Sequence, residues 1–447
     1  MSDKISIIHK SLKIRLYPTE DQKILLNKTF GCCRLLYNER LAEHIEWYNQ
    51  NKDLPKDQRS KFKGKLPKQL REEKYEFLSE VIAEPLIQSQ RNCEQAFSNF
   101  FESSSGKRKG RKVGRPKFKS KKQHKDSFSI YMLPKDLLDW DHRLITIPKL
   151  KQVRFRHAED KKGRWIEWFK DATPKNITVS KNACGEYWCS IVFEKNQDIF
   201  QTINTSKATG LDFSPNCLYI NDLNEVAPSF RKAKQENIKK LTKLQRNLMR
   251  KQKDSKNREK ARIKLARFEN HIANIRRDYR EKETLRLTRD YDIIGIENLN
   301  LQGMMRYSHN AKNYVDTSWY TFVTRLEQKA KLNNCLVIRS DRFYPSSKTC
   351  NHCGYVNKKL TLRDRVWICP ECGSEIIRDQ NAALNLKENA LKILIDDIKS
   401  TLLLEQEEVM SMEDMEVEIC NSEICGVSYE VENRGSDALK GSSSVFS

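Results

Sequence analysis

No run of apolar residues in this chain approaches the length needed to cross a bilayer, so a membrane-spanning helix is not expected. Residues 1–10 hold no apolar stretch of the kind that heads a secretion signal, and an intracellular protein is expected. No internal repeat is visible, which sets solenoid architectures aside. Disulfides are not expected either, despite 13 cysteines. The chain is long, and a reducing interior fits four cysteines on a metal and nine mostly free or buried.

Acidic residues are also in short supply. Against 83 Lys and Arg there are 60 Asp and Glu, a net charge of +23. The imbalance is uneven, because residues 401–447 carry −9 and the first 400 residues carry +32. A body this basic needs a polyanionic partner, and nucleic acid is the usual one. The expected location is therefore cytoplasmic and nucleoid-associated in a prokaryote, with no membrane partner. With 447 residues, 38% of them apolar, two or three domains with real cores are expected.

Leu12, Ile14 and Leu16 alternate with Lys13 and Arg15, a half-buried strand. Thr19 followed by Gln22 reads as a capping box opening a long helix. Helical patterning continues to about Phe101. The segment Phe101–Lys125 then holds eleven bases and one acid. Arg115, Lys117, Phe118, Lys119 and Lys121 form its aromatic-bearing core, a candidate for contact with a phosphate backbone. Residues 126–205 read as β-structure. The alternation Tyr187, Cys189, Ile191, Phe193 faces one way, and Trp188, Ser190 and Val192 the other. Burial on both faces predicts a small barrel or sandwich, which the first strand joins.

Further on come a strand around Asp212, a helical hairpin over Arg231–Asp290 and a strand ending at Glu297. An amphipathic helix from Trp319 and a strand to Arg339 follow. The hairpin carries 22 bases and eight acids, and Lys243, Arg246 and Arg250 are candidate nucleic-acid contacts on it. Beyond Ser400 an acidic tail is expected to be disordered.

Two constellations carry chemistry. Cys350 and Cys353, then Cys369 and Cys372, form paired Cys-x-x-Cys knuckles whose separation suits a closed, structural four-thiolate zinc site. Arg363 and Arg365 lie between the knuckles and are candidates for touching a nucleic-acid strand. Asp212 within an apolar strand, Glu297 at the end of another and Asp379 opening a helix form the second constellation. An acid inside such a strand is costly unless it is paired or binds a cation. Three acids converging at one sheet edge would repel one another without divalent metal, and hard oxygen donors suit Mg2+. Two such ions make a phosphodiester-cleaving centre with Asp212, Glu297 and Asp379 as both catalytic and magnesium-binding residues.

The order strand-Asp, strand-Glu, four-cysteine module, helix-Asp resembles TnpB, the transposon-encoded RNA-guided DNA endonuclease ancestral to type V CRISPR effectors. The resemblance runs from about residue 10 to 395. It rests on Gly114-Arg-Pro-Lys-Phe118, Gly210-Leu-Asp212-Phe-Ser-Pro, Ile-Glu297-Asn-Leu and Tyr344-Pro-Ser-Ser-Lys-Thr-Cys350-Asn-His-Cys-Gly354. Cys369-Pro-Glu-Cys-Gly373 and Arg378-Asp379-Gln-Asn-Ala-Ala complete it. It implies an α+β multidomain fold: a wedge β-barrel over 1–20 and 126–205, and a helical recognition domain with basic linker over 21–125. It further implies an RNase-H-like RuvC domain over 206–344 and 378–400, a zinc ribbon over 345–377 and an acidic tail over 401–447. The implied partners are a guide RNA (omega RNA or crRNA-like), with one protomer per guide, and double-stranded target DNA flanked by a short motif. The implied cofactors are structural Zn2+ and two catalytic Mg2+. One position departs from the family pattern: Ile377 stands where an acid is usual, two residues before Asp379. Three other readings share these residues: a compact CRISPR effector using a crRNA, a DNA transposase, or a guided DNA-binding repressor.

Overall fold

The computed structural model describes residues 5–410, apart from 56–57, 59, 109–111, 124–125, 158–163, 199–202, 215, 230, 308–317 and 362. The chain divides into two compact units, Met1–Asp198 with Gln252–Arg267, and Ile199–Lys251 with Phe268–Ser447. Among the described residues, no helix is long and apolar enough to cross a membrane.

The first unit is built on strand β1 (Ile5–Tyr17), whose Leu12, Ile14 and Leu16 are buried as their alternation predicts. Thr19 caps helix α1 (Glu20–Asn51) with the expected reciprocal bonds, Gln22 N to Thr19 Oγ1 and Thr19 N to Gln22 Oε1. Helices α2 (Pro67–Glu73) and α3 (Ala83–Ser104) follow, and α3 packs on α1 through Tyr37, Leu41, Cys93 and Phe97. The strands are β2 (Asp126–Ile130), β3 (Leu138–Asp139), β4 (Leu144–Ile147), β5 (Lys151–Arg156), β6 (Thr173–Lys181) and β7 (Tyr187–Asp198). A short helix, α4 (Arg164–Lys170), interrupts them.

With β1 they make a seven-stranded antiparallel sheet in the order β2-β6-β7-β1-β5-β4-β3. It is an open, curled half-barrel: β2 and β3 are its two edges and, among the described residues, do not pair with each other. β1 joins the later strands as expected, pairing with β7 from Ile5 to Leu16 and with β5 near its end. Tyr187, Cys189, Ile191 and Phe193 are all buried, in one continuous core that the sheet shares with α1 and α3.

The second unit holds a mixed sheet. Strands β8 (Ala208–Phe213), β9 (Tyr219–Asn221), β10 (Val226–Ala227), β11 (Ile293–Ile296) and β12 (Leu336–Arg339) lie in the order β10-β9-β8-β11-β12. β9 runs antiparallel to β8 and β10 to β9, whereas β11 and β12 continue parallel. The two helices of the expected hairpin are α5 (Arg231–Met249) and α6 (Lys256–Asp290), of which the part up to Arg267 belongs to the first unit. Helices α7 (Leu301–Tyr307) and α8 (Trp319–Ala330) come next, and Trp319, Phe322, Val323 and Leu326 of α8 bury against the sheet core. A small hairpin, β13 (Val366–Ile368) with β14 (Glu375–Ile377), leads into α9 (Arg378–Met410).

Past Ser400, where the acidic tail was expected to begin, α9 runs on to Met410, and residues 411–447 lie outside the described ones. As far as Ile398, the helix lays an apolar stripe at i, i+4 spacing, Leu386, Ala390, Leu394 and Ile398, toward the sheet. Among the described residues there is no disulfide, and the seven cysteines outside the knuckles are all buried.

Candidate active site and metal centre

Register places two of the three acids side by side. β8 and β11 are neighbouring parallel strands in which Leu211 lies opposite Ile296. Asp212 and Glu297 are each the next residue, so both carboxylates leave adjacent strands at one level and on one face. Asp212 is 9% exposed. Glu297 is half-buried and accepts a hydrogen bond from Ser346 Oγ at 2.9 Å.

A pair of glycines brings in the third acid. Gly210 and Gly295 face each other in the same register, two residues before that level. A Cβ on Gly210 would sit 1.9 Å from the Ala383 carbonyl oxygen, and one on Gly295 2.2 Å from that of Leu386. Only side-chain-free backbone lets α9 lie directly on these strands. The helix is then fixed laterally by a buried polar knot. Asp222 accepts from Thr209 Oγ1 and from Lys387 Nζ (3.0 Å), and its carbonyl accepts from Gln380 Nε2. Asp379, second residue of α9, is thereby held over the ends of β8 and β11.

The electrostatics of the cluster follow from that geometry. Burial first, then the fields of Glu297 and Asp379, push the Asp212 carboxyl well above the usual carboxylate range, while Arg378 and Arg365 oppose the shift. Burial also raises Glu297, partly offset by Ser346. Asp379 is gripped by two guanidinia. Arg378 donates from Nε (2.9 Å) and Nη2 (2.7 Å), and Arg365 from Nη1 at 2.9 Å. Among the described residues, the acids are not a collapsed cluster: only the four cysteines bring three or more ligand atoms within 4.8 Å of one another.

That cysteine site is geometrically closed. Cys350 and Cys372 sulfurs are 3.7 Å apart, and those of Cys353 and Cys369 are 3.5 Å apart. Zn–S bonds of about 2.3 Å in a tetrahedron separate sulfurs by about 3.8 Å, so the four thiolates fit structural zinc. Each knuckle ends in a left-handed glycine, Gly354 (φ +78) and Gly373 (φ +70). Their amides return to the Cys350 and Cys369 carbonyls at 2.8 and 2.9 Å. Trp367 and Ile376 bury Cys350 and Cys369 from below. The module is tied to α9 through Asn381 and Asn385, whose side-chain amides both reach the Thr349 carbonyl at 2.7 Å. Ile377, two residues before Asp379, is 46% exposed.

The other predicted contacts are scattered. Lys119 Nζ sits 3.7 Å over the Tyr37 ring, and burial lowers its pKa. Arg115 stacks 4.9 Å over Tyr48. The Asn38 side chain bonds both backbone groups of Lys119. The basic run is therefore laid along α1 rather than swinging free. Lys117, Phe118 and Lys121 of that run are exposed, as are Lys243, Arg246, Arg250 and Arg363. Arg365 is exposed as well, but its guanidinium goes to Asp379. The glycine pair, the Asp222 knot and Arg378 were missed by sequence reasoning. A glycine in each of two apolar strands, two residues before an acid in both, was the available signal.

Three family models match. One described as "Helix-turn-helix domain" covers residues 6–53, although those residues form β1 and the single helix α1. One described as "Probable transposase" covers 190–308, and one described as "Cas12f1-like, TNB domain" covers 319–386. A Streptomyces pristinaespiralis protein named "Putative RNA-guided DNA endonuclease" is 32% identical over 85% of this chain and 89% of its own length. "Putative RNA-guided DNA endonuclease InsQ" of Escherichia coli is 29% identical over 84% of this chain and 91% of its own. A solved structure described as "Cryo-EM structure of the Cas12f1-sgRNA-target DNA complex" aligns with 85% of this chain and 99% of that chain, at TM-score 0.48 and 12% identity. With a near-full-length relative at that level of identity, the chain belongs to the TnpB family.

Proposed function

We propose that this protein is an RNA-guided endonuclease that cuts double-stranded DNA beside a short flanking motif, hydrolysing phosphodiesters in one carboxylate site. The observation that carries the reading is Asp212 and Glu297 level on adjacent parallel strands, with Asp379 delivered over them by α9. The sheet order β10-β9-β8-β11-β12, antiparallel on one side of β8 and parallel on the other, supports an RNase-H-like, RuvC-type domain. The curled antiparallel sheet supports the wedge role, α1–α3 the recognition role, and the basic segments a channel for a guide–target heteroduplex read by base pairing.

The donor set fits hard divalent cations: three carboxylates, one of them buried and resisting ionisation. Two Mg2+ held by Asp212, Glu297 and Asp379 would supply an activated water and neutralise charge on the departing 3′ oxygen. The protein's own groups set the stage for that chemistry. Ser346 fixes the orientation of Glu297, and the glycine pair fixes the height of α9. Arg378 and Arg365 neutralise Asp379 until a cation takes its oxygens. The four cysteines hold structural zinc and take no part in the chemistry, because their coordination sphere is closed.

The test is to purify the full chain with its co-purifying RNA, sequence that RNA, and offer DNA matching its variable segment. One discrete structured RNA and Mg2+-dependent cutting of matched DNA alone is the expected result. Joining of DNA ends, or guided binding without cutting, would overturn it in favour of a transposase or a repressor.

A further inference from the structure

A second polar site lies in the second unit, on the groove between the C-terminal half of α6 and the outer face of α8. It is an open cavity of about 220 Å3 lined by Arg280, Glu281, Tyr320, Thr324, Arg325 and Gln328. Its charges do not balance. Glu281 is consumed by Arg325, at 2.8 Å from Nε, and by Lys329 Nζ at 3.1 Å. Among the described residues the Nε of Arg280 is buried without a hydrogen-bond partner, a cost that native structures rarely leave uncompensated. Burial and the like charges of Arg277, Arg276 and Arg325 make the Arg280 cation less favourable, with Glu281 opposing. Beside it Tyr320 is 71% exposed, although it sits on a helix whose opposite face is core. The groove is smaller than the roughly 300–1,000 Å3 typical of a small-molecule pocket, which suits one unit of a passing chain rather than a separate cofactor.

We propose that this groove binds a single nucleotide of a nucleic-acid strand, its phosphate on Arg280 and its base against Tyr320. The chemistry is complementary at each point. A phosphate answers the surplus positive charge with charge-assisted bonds. An exposed phenol ring offers a stacking platform that any base accepts. The Thr324 hydroxyl and Gln328 amide stand where a base edge or ribose could be met. The inference rests on the nucleic-acid-binding reading above and adds a contact made by residues other than the three acids.

The probes are short oligonucleotides carrying 5-iodouracil, one DNA and one RNA, photo-crosslinked to the full chain and mapped by mass spectrometry. The expected result is cross-linking to the peptide containing Tyr320, with yield falling at least threefold in Arg280→Ala. In binding titrations Tyr320→Ala weakens affinity about fivefold and Tyr320→Phe restores it, within the range expected for one stacked base. Arg280→Ala flattens the salt dependence by about one ion. Loss on the RNA arm assigns the guide strand, and loss on the DNA arm the target strand. Cross-links elsewhere only, with both variants binding like the parent, would overturn this site and leave the guided-nuclease reading intact. No binding by the parent chain would sink both.

Discussion

The four-cysteine centre and the three-acid centre sit in the same unit and are built by opposite means. The cysteines are contributed by two local knuckles, each closed by its own left-handed glycine, and the sulfurs already stand 3.5–3.7 Å apart in pairs. The acids come from positions 212, 297 and 379 on three separate elements, and their convergence depends on strand register and on a helix lying on glycine backbone. One site is complete when a short segment folds. The other exists only when the whole unit folds, and its third acid is still engaged by arginines. The difference suits the two roles proposed for them: a closed soft site anchors, while an open hard site must exchange water and substrate.

The sharpest way to break that comparison is at the acids. Asp212→Ala should lower guided cleavage at least a thousandfold, measured on matched DNA, and leave RNA and DNA binding intact. In metal-free protein the same variant should melt no lower than the parent, because it removes a buried acid repelled by its neighbours. Next in size is the zinc centre. Cys369→Ser, or stripping with a strong chelator, should abolish stoichiometric zinc and lower the melting temperature, since structural zinc contributes folding free energy outright.

Gly210→Ala should cost about 3 kcal/mol or more, read from denaturant unfolding, because α9 must lift off the sheet. It should also reduce cleavage without touching any ligand. Arg365→Ala should raise Mn2+ affinity a few-fold in the absence of nucleic acid, measured by electron paramagnetic resonance, because a competing cation has left Asp379. The pair is partly exposed, which keeps the effect small.

The two centres should also respond to pH, each through the protons its ligands carry without metal. The raised carboxyls of Asp212 and Glu297 keep protons in the folded state at pH values where the unfolded chain has lost them. The folded form then binds more protons, so metal-free stability falls as pH rises from about 4 through the raised values. Saturating Mg2+ should flatten that slope in thermal melts. Zinc affinity should instead climb with pH, because the thiols must shed protons to bind.

What could be read in advance follows the same division. The cysteine site was legible because its information is local: spacing within each knuckle and the separation between them. Asp212 and Glu297 were legible as acids out of place in apolar strands. The expected strands, capping box and basic hairpin also follow short-range patterns, and they appear at or near their expected bounds. Register was not legible. Nothing in the sequence says that Gly210 faces Gly295, or that their missing side chains admit Ala383 and Leu386 of a helix some ninety or more residues further on. The grip of Arg365 on Asp379 likewise depends on how the β13–β14 hairpin folds back, since Arg378 N bonds the Arg365 carbonyl at 2.9 Å. The open edges of the first sheet belong to the same class, because alternation predicts burial and says nothing about closure.

The most direct measurement is anomalous scattering from crystals of the full chain soaked in Mn2+. The account predicts metal density bridging Asp212 and Glu297, with Asp379 turned from Arg365 toward it. Full Mn2+ occupancy elsewhere, with these three carboxylates still protonated or arginine-bound, would contradict it.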